Sequence, residues 1–302
     1  MSLWREKQRA RAAAVPPWLL AVLAMLSVQL SGAFAVGLIE DVGPRGAAWL
    51  RVAAGAVLIL LIARPKIRGL TLRDAGLVTA LGVTTGSLTF LFFVAIQRIP
   101  LGTAVALEFL GPLVLAAVTS TSRRALAYPA LAMIGVVLLT RPWIGDVDLI
   151  GILFALGSGT AWAFYIILTQ RAGDRFSGIS ALAYTIPIAA IAYAPIGLPE
   201  AIPHLSVPVI ATALGLALLM PVIPLAFEIV ALRAMAPAAF GTLMALEPAM
   251  SIIIGAIVLA QVPLPIQVLG IVLVVAAGIG SQRFAARDVS PTPIAWPESD
   301  EA

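Results

Sequence analysis

Uninterrupted apolar runs of about membrane-spanning length recur along the whole chain, and they constrain the fold more than any other feature. A helix needs roughly 20 apolar residues to cross a hydrocarbon core about 30 Å thick. Because backbone amides cannot stay unpaired in lipid, such runs are expected to form helices that pack into one bundle. The composition agrees, since 61% of the 302 residues are hydrophobic and only 11% are charged. The sequence therefore predicts an all-α, polytopic membrane protein.

Ten candidate transmembrane helices result when the apolar runs are bounded at charged residues, glycine or proline. They cover about 17–39, 46–63, 75–96, 101–119, 125–140, 149–170, 179–196, 207–231, 238–259 and 265–282. We group them as two halves of five helices, 17–140 and 149–282, joined by a loop at 141–148. A basic N-terminus precedes them at 1–16, and the Pro-rich, acidic tail at 283–302 is expected to be disordered.

The cations in the loops predict the orientation in the membrane. With the N-terminus inside, the inner segments hold 15 of the 19 Lys and Arg residues, the outer loops hold three, and Arg51 lies within the second helix. Lys and Arg concentrate on the cytoplasmic side of membrane proteins. We therefore expect both termini in the cytoplasm and the loop 141–148 in the periplasm.

Two similar stretches occur 139 residues apart: GTAVALEF at 102–109 and GTLMALEP at 241–248. Each falls in the fourth helix of its own half. Because five is an odd number, the second half must enter the membrane from the opposite side, which predicts two inverted five-helix repeats. Many secondary transporters are built in this way, with the substrate site near the midplane between the halves.

Glu108 and Glu247 carry the chemistry of these stretches. An acid near the bilayer centre costs about 2.5–3.5 kcal/mol on insertion scales. Each could be a structural acid bonded to a neighbouring helix, or a carboxyl in a watery cavity that exchanges a proton or holds an ammonium group. The second interpretation is favoured because buried membrane acids most often line a pathway.

Prolines beside the acids predict helix breaks. Pro112, after Gly111, removes the amide that would bond the carbonyl of Glu108, and Pro248 frees the carbonyl of Met244. A kink that only serves packing is the alternative. The eighth helix repeats the pattern with Pro221 and Pro224.

Two further charged residues leave their roles open. Glu228 lies either near the midplane or at the inner interface, paired with Arg233. Arg51 could reach the outer interface, neutralise an acid or meet a substrate carboxylate, and pairing with an acid is favoured.

Gln29, Trp162 and Tyr165 are candidates for cavity lining, with packing as an equal alternative. Nearby Ser and Thr residues, and Gly157-Ser158-Gly159, are better explained by close helix packing.

Features of other protein classes do not occur in the sequence. There is no cysteine, one histidine (His204), and no phosphate-binding GxxxxGK loop or catalytic motif. We expect no enzyme activity, no metal and no cofactor. The basic residues are scattered over short loops, so nucleic-acid binding is not expected either.

The sequence resembles the threonine/homoserine exporters of the drug/metabolite transporter superfamily, with their EamA-type domains. The resemblance rests on VALEFLGPL (105–113), TSRR (121–124), VDLIGILFALGSGTAWAFYIILTQRAG (147–173), FGTLMALEPAM (240–250) and IQVLG (266–270), and covers roughly 17–282. It implies ten helices, inverted halves and proton-driven efflux of small amino acids across the bacterial inner membrane. One departure is Leu259-Ala260-Gln261, where relatives commonly have Leu-Gly-Glu.

We therefore expect an inner-membrane exporter of threonine, homoserine or related small amino acids. Glu108 is the first candidate for proton coupling or ammonium binding, and Glu247 is the second. The expected partners are an amino acid, protons and the lipid bilayer, with a homodimer left open. The alternatives are an exporter of other metabolites or drugs and, from a different class, a membrane scaffold or subunit.

Overall fold

The computed structural model describes residues 16–63, 71–120, 123–141, 148–173, 178–234, 240 and 243–281, and every regular element in that part of the chain is helical. The α-helices are α1 (Pro17–Val42), α2 (Pro44–Ala63), α3 (Leu72–Arg98), α4 (Leu101–Thr119), α5 (Ala127–Thr140), α6 (Leu149–Gly173), α7 (Gly178–Ala201), α8 (Val207–Ala217), α9 (Ile223–Ala234), α10 (Glu247–Val258) and α11 (Pro265–Ser281). The tail at 283–302 and all of the basic N-terminus except residue 16 lie outside the described residues.

Within the described residues, eight helical runs are long and apolar enough to span a membrane. Seven of them contain α1 to α7, and the eighth is Val207–Glu228, in which a π-helical turn at Leu218–Val222 joins α8 to α9. The last two helices, α10 and α11, are apolar but shorter, with 12 and 17 residues. The chain is therefore a multi-pass membrane protein. Large apolar side chains on the bundle surface, such as Leu61 and Ile191, are exposed, as lipid-facing groups would be.

The predicted ninth helix differs from the observed one. The sequence analysis placed Glu247 midway along a helix at 238–259, but α10 begins at Glu247 and is preceded by a turn. The physical reason is Pro248, which has no amide hydrogen and is favoured in the first helical turn. The amides of Ala249 and Met250 bond the carbonyl of Leu246 and start the helix there.

The core of the bundle is built around α4. Every residue from Leu101 to Leu110 is buried, because α4 packs against α6 and α10 and also contacts α3, α5 and α11. A helical segment buried on all sides can be apolar all round, and Leu101–Leu110 is so apart from Thr103 and Glu108. This position carries Glu108 into the interior of the protein.

The helices of the two halves interleave. In the first half, α3 packs against α6 and α7, α2 against α7, α5 against α11, and α4 against α6 and α10. The first two helices make further contacts with the second half: α1 packs against α9 and α10, and α2 packs against α8. The interior is thus an interface between the two halves along most of its length.

Candidate functional site

The buried guanidinium of Arg51 lies in the interior between α2 and α3. Its Nη2 atom donates a hydrogen bond to Thr89 Oγ1 on α3 at 3.2 Å. The guanidinium carbon lies 4.5 Å from the ring centroid of Phe93, a cation–π contact. Arg51 is 7% exposed, so the structure places it inside the protein and not at the outer interface.

Glu108 is the acid that interacts with this cation. Its side chain is 8% exposed, and its charge interacts electrostatically with that of Arg51 without a direct ion pair between them. The carboxylate oxygen Oε1 lies 2.5 Å from Ser158 Oγ on α6, a short hydrogen bond. The same hydroxyl lies 3.0 Å from the backbone oxygen of Leu88 on α3. Glu108 is therefore linked to two helices beside its own.

Backbone contact between α4 and α6 makes this bond possible. A Cβ atom at Gly111 would lie 1.9 Å from the backbone oxygen of Gly159, and a Cβ at Gly159 would lie 2.5 Å from that of Glu108. Only glycine allows so close an approach. Pro112 supplies no amide to the Glu108 carbonyl, yet α4 continues through it without interruption. The carbonyl that Pro112 leaves free faces Gly159.

The second half contributes two more carboxyls, from α9 and α10. Glu247 interacts electrostatically with both Glu228 and Glu108. Tyr165 on α6 bonds the side chain of Thr169 and lies within electrostatic range of Glu228. The side chain of Arg233 lies outside the described residues, and with it the predicted pair between Glu228 and Arg233.

The remaining predicted residues have different surroundings. Gln29 is 3% exposed on α1, and its amide makes no hydrogen bond to any residue that the structure describes. Trp162 packs edge-on against Phe109, with ring centroids 6.1 Å apart, so it belongs to the core beside Glu108.

The chain leaves the helical conformation just before Pro221, because Met220 has φ −154° and ψ 111°. Serines of α1 satisfy carbonyls next to this break: Ser27 Oγ donates to Leu219 at 2.7 Å and Ser31 Oγ to Leu216 at 3.1 Å. Pro224, in the first turn of α9, is buried. Non-helical backbone at membrane depth requires such partners.

Several polar links join the two halves at one end of the bundle, which we call the Gly43 end after the turn between α1 and α2. Glu200 Oε2 accepts a hydrogen bond from the Gly46 amide at 2.7 Å, and Glu200 Oε1 pairs with Arg45 at 3.5 Å. Gly43 itself has φ +78°, and a Cβ there would collide with the Glu200 carboxylate. Arg98 pairs with Asp148 at 3.1 Å.

The same end contains Gln261, the residue at which the sequence departs from the family pattern. Its Oε1 atom accepts the Leu101 amide at 3.0 Å and so caps the first turn of α4. A second amide, Gln267 Nε2, donates to the backbone oxygen of Leu139 at 3.0 Å. A glutamate at position 261 could accept the same hydrogen bond from the Leu101 amide.

Comparison with known proteins identifies the kind of molecule that carries these features. The model of the EamA-like transporter family matches residues 149–280. The threonine/homoserine exporter RhtA of Escherichia coli (strain K12) is 36% identical over 275 residues, which cover 88% of this chain and 92% of that protein. The chain belongs to the EamA-like transporter family. RhtA of Salmonella typhimurium (strain LT2) is 34% identical over 277 residues, 90% of this chain and 93% of that protein.

A solved structure supports the fold of this EamA-like transporter independently. It is described only as the crystal structure of a protein, and it matches with a TM-score of 0.58 and 18% identity over 90% of this chain and 99% of that one. Since the identity is low, the match concerns the fold alone. Family membership makes the chain a membrane transporter and not an enzyme.

Two residues of the candidate site in this EamA-like transporter, Ser158 and Thr89, are not predicted from the sequence. Ser158, which bonds Glu108, was assigned to helix packing, and Thr89, which bonds Arg51, was one of several hydroxyls in the third helix. The signal for Ser158 was present in its flanking Gly157 and Gly159, since glycines mark close backbone approach. No sequence signal distinguishes Thr89 from Thr84 and Thr85.

Proposed function

We propose that this protein exports threonine, homoserine or related small amino acids across the bacterial cytoplasmic membrane in exchange for protons. The observation that carries the proposal is the 34–36% identity to proteins named threonine/homoserine exporter over nearly the whole length of both chains. The buried, polar centre around Glu108 supports it, because a scaffold has no need of acids inside an apolar bundle.

The proposed architecture is ten membrane crossings in two inverted repeats. The helix contacts support it. Two halves related by a twofold axis should make each contact between them twice, once with each half in each role. The contact of α3 with α6 corresponds to that of α9 with α1, and the contact of α4 with α6 corresponds to that of α10 with α1. The family model, which matches 149–280, covers one half as a unit.

The proposed orientation has both termini in the cytoplasm, and the Gly43 end then faces the periplasm. The distribution of Lys and Arg supports this orientation. In this arrangement the polar links at that end close the outer side of the transporter. Alternating access then requires these links to break when the outer side opens.

The proposed substrate is a zwitterion, so both of its charges need partners. Carboxyls at Glu108 and Glu247 are suited to the ammonium group, and the Arg51 guanidinium to the carboxylate. Gln29 supports a polar ligand as well, because the residue is 3% exposed and its side chain has no hydrogen-bonding partner among the described residues. We assign the hydroxyl of threonine or homoserine to Gln29 or Tyr165.

The proton carrier in this proposal is Glu108. Its carboxyl is buried between one cation and another acid, so its charge state depends on what occupies the site. A substrate ammonium group near Glu108 favours the ionised carboxylate, whereas an empty site favours the protonated acid. Substrate and proton therefore compete for the same group, as antiport requires.

The test is transport by the purified protein in liposomes loaded with labelled threonine, under an imposed proton gradient. We expect the gradient to accelerate threonine efflux. We also expect unlabelled homoserine to compete well, serine less well, and hydroxy acids without the amine hardly at all. Equal competition by the amine-free acids would contradict the substrate assignment, and no efflux of any amino acid would favour an exporter of other metabolites.

A further inference from the structure

One hydroxyl on α6 faces two acceptors that belong to two other helices. Ser158 Oγ lies 2.5 Å from Glu108 Oε1 on α4 and 3.0 Å from the backbone oxygen of Leu88 on α3. Ser158 has no exposed surface. The helices α3 and α4 belong to the first half of the chain and α6 to the second, so this one side chain bridges the interface between the halves.

The number of protons decides which of the two bonds can form. A serine hydroxyl has one proton to donate, and a backbone oxygen can only accept. If Glu108 is ionised, the hydroxyl proton is drawn to the carboxylate, and Leu88 receives nothing from Ser158. If Glu108 is protonated, the acid donates to Ser158, and Ser158 is free to donate to Leu88. Both short distances are full hydrogen bonds only when Glu108 carries a proton.

We infer that Ser158 is a positioning residue that converts the protonation of Glu108 into packing of α3 against α6. The protonated acid completes the chain from Glu108 through Ser158 to Leu88 and holds the three helices together. Loss of the proton removes the bond to Leu88 and loosens α3 from α6. The inference rests on the proposed function, in which Glu108 carries the proton.

Among the described residues, Ser158 is the hydrogen-bonding partner of the Glu108 carboxyl. Arg51 on α2 and Glu247 on α10 act on Glu108 through charge alone, and Glu228 on α9 acts on Glu247. The other ionisable residues on the described parts of the helices packed against α4 are Arg73, Asp74 and Arg98 near the ends of α3, Arg123 and Arg124 in the short 3₁₀ helix Arg123–Leu126, Tyr128 on α5, and Tyr165 and Arg171 further along α6, while α11 has none.

The close backbone contact between α4 and α6 makes the Ser158 hydroxyl sensitive to the proton on Glu108. The contacts of Gly111 and Gly159 fix α4 against α6 beside Ser158, so the distance from Ser158 to Glu108 is set by the backbone. The hydroxyl can therefore respond only by rotating its proton. The bond that is gained or lost is the one to α3.

The test compares Ser158→Ala with the matched control Ser31→Ala in proteoliposomes. Ser31 is a fully buried serine that precedes a glycine and donates to a carbonyl of another helix, Leu216, without touching a carboxyl. We expect Ser158→Ala to lower gradient-driven threonine efflux about tenfold, the equivalent of one hydrogen bond to a charged group. Threonine exchange without a gradient should change much less. In Ser31→Ala the ratio of the two rates should stay at the wild-type value.

Infrared spectroscopy provides a readout that a merely structural role would not move. The C=O stretching band of the protonated Glu108 is the band lost in Glu108→Gln. We expect Ser158→Ala to move this band to higher wavenumber, because the acid loses its acceptor, and Ser31→Ala to leave it in place. If Ser158→Ala does not fold, Ser158→Cys, of similar size but with a weaker acceptor, should move the band in the same direction.

The outcomes separate this inference from the proposed function. An unmoved band and a wild-type ratio of rates in Ser158→Ala, with Glu108→Gln uncoupled, would overturn the role of Ser158 alone. If Glu108→Gln instead loses no band at any pH and keeps gradient-driven efflux, Glu108 is not the proton carrier, and the proposed function fails with it.

Discussion

At the scale of single residues, acids outnumber bases around Glu108 among the residues that the structure describes. Arg51 faces Glu108, and Glu247 interacts with both Glu108 and Glu228. If all three acids were ionised, one guanidinium would face three carboxylates. Uncompensated charge in a low-dielectric interior is costly. A proton would reduce this excess, and the ammonium group of a bound amino acid would pair with a carboxylate, and these are the two species that the proposed exchange mechanism moves.

Arg51 and Glu108 should therefore depend on each other for stability. We expect Arg51→Gln to lower the free energy of unfolding at pH 8 by about 3 kcal/mol, because a buried carboxylate loses its counter-charge. The double variant Arg51→Gln/Glu108→Gln should recover most of this loss, since both charges are gone. Unfolding of the purified variants in detergent measures both effects in a double-mutant cycle. Strictly additive losses would show that the two charges do not interact.

Part of the candidate site could be predicted at this scale. The sequence marks Glu108 because an acid stands out in an apolar run. Ser158 does not stand out, because serine is common at packed helix interfaces in membranes. Its role depends on the approach of α6 to α4. The local sequence pattern does not show which helices of the bundle pack against each other.

At the scale of helices, the sequence predicts spans better than it predicts their starting points. The predicted helix at 101–119 agrees with α4, which runs from Leu101 to Thr119. The predicted helix at 207–231 is divided by the π-helical turn at Leu218–Val222. Proline can lie inside a continuous helix or at the start of a new one, as Pro112 and Pro248 show. Only the tertiary partners of the freed carbonyls decide between them.

The close contact of α4 and α6 gives a prediction with an internal control. We expect Gly111→Ala to lower the free energy of unfolding by about 3 kcal/mol and to abolish transport, because the new Cβ would overlap the Gly159 carbonyl. Gly37→Ala on α1 has no atom within 4 Å of the new Cβ, so it should be neutral or slightly stabilising. Thermal unfolding in detergent compares them. Equal stability of the two variants would contradict the backbone contact.

The carboxyl of Asp148, at the start of α6, makes a contribution to stability that depends on pH. The Gly151 amide, at 2.8 Å, and then the Arg98 guanidinium hold the pKa of Asp148 below its usual range. A depressed pKa contributes stability that is present above the unfolded value, about 3.9, and is lost as the pH falls through the folded value. Asp148→Asn should therefore lower the unfolding temperature at pH 7 and leave it less dependent on pH below about 4.

Unfolding temperatures of wild type and Asp148→Asn across this acidic range provide the check. Arg98→Gln is the matched variant and should have the smaller effect, because the backbone bond to Gly151 is the larger cause of the shift. Parallel acid profiles for wild type and Asp148→Asn would show that the cap does not contribute.

At the scale of the whole molecule, the number of crossings depends on the last two helices. With 12 residues, α10 is about 18 Å long at 1.5 Å per residue, which is too short for the hydrocarbon core. The sequence predicts one span at 238–259 because hydropathy sums over a break as readily as over a helix. Ten crossings therefore require residues before Glu247 to complete the ninth.

Reporter fusions test the inverted arrangement directly. We expect a reporter placed after Arg124 to be cytoplasmic and one placed within 141–148 to be periplasmic, since the single helix α5 separates them. A third fusion at residue 302 should again be cytoplasmic. If the reporters after Arg124 and within 141–148 lie on the same side of the membrane, the inverted repeats are contradicted, whatever the substrate is.

The account as a whole depends on proton exchange at Glu108, and Glu108→Gln tests it most directly. The substitution removes the titrating group and keeps nearly the same side-chain size. Purified wild-type and variant proteins, in liposomes loaded with labelled threonine, are compared with a proton gradient and without one. We predict that the variant loses gradient-driven efflux at least tenfold and retains threonine-for-threonine exchange. Full gradient-driven efflux by a folded Glu108→Gln protein would contradict the account.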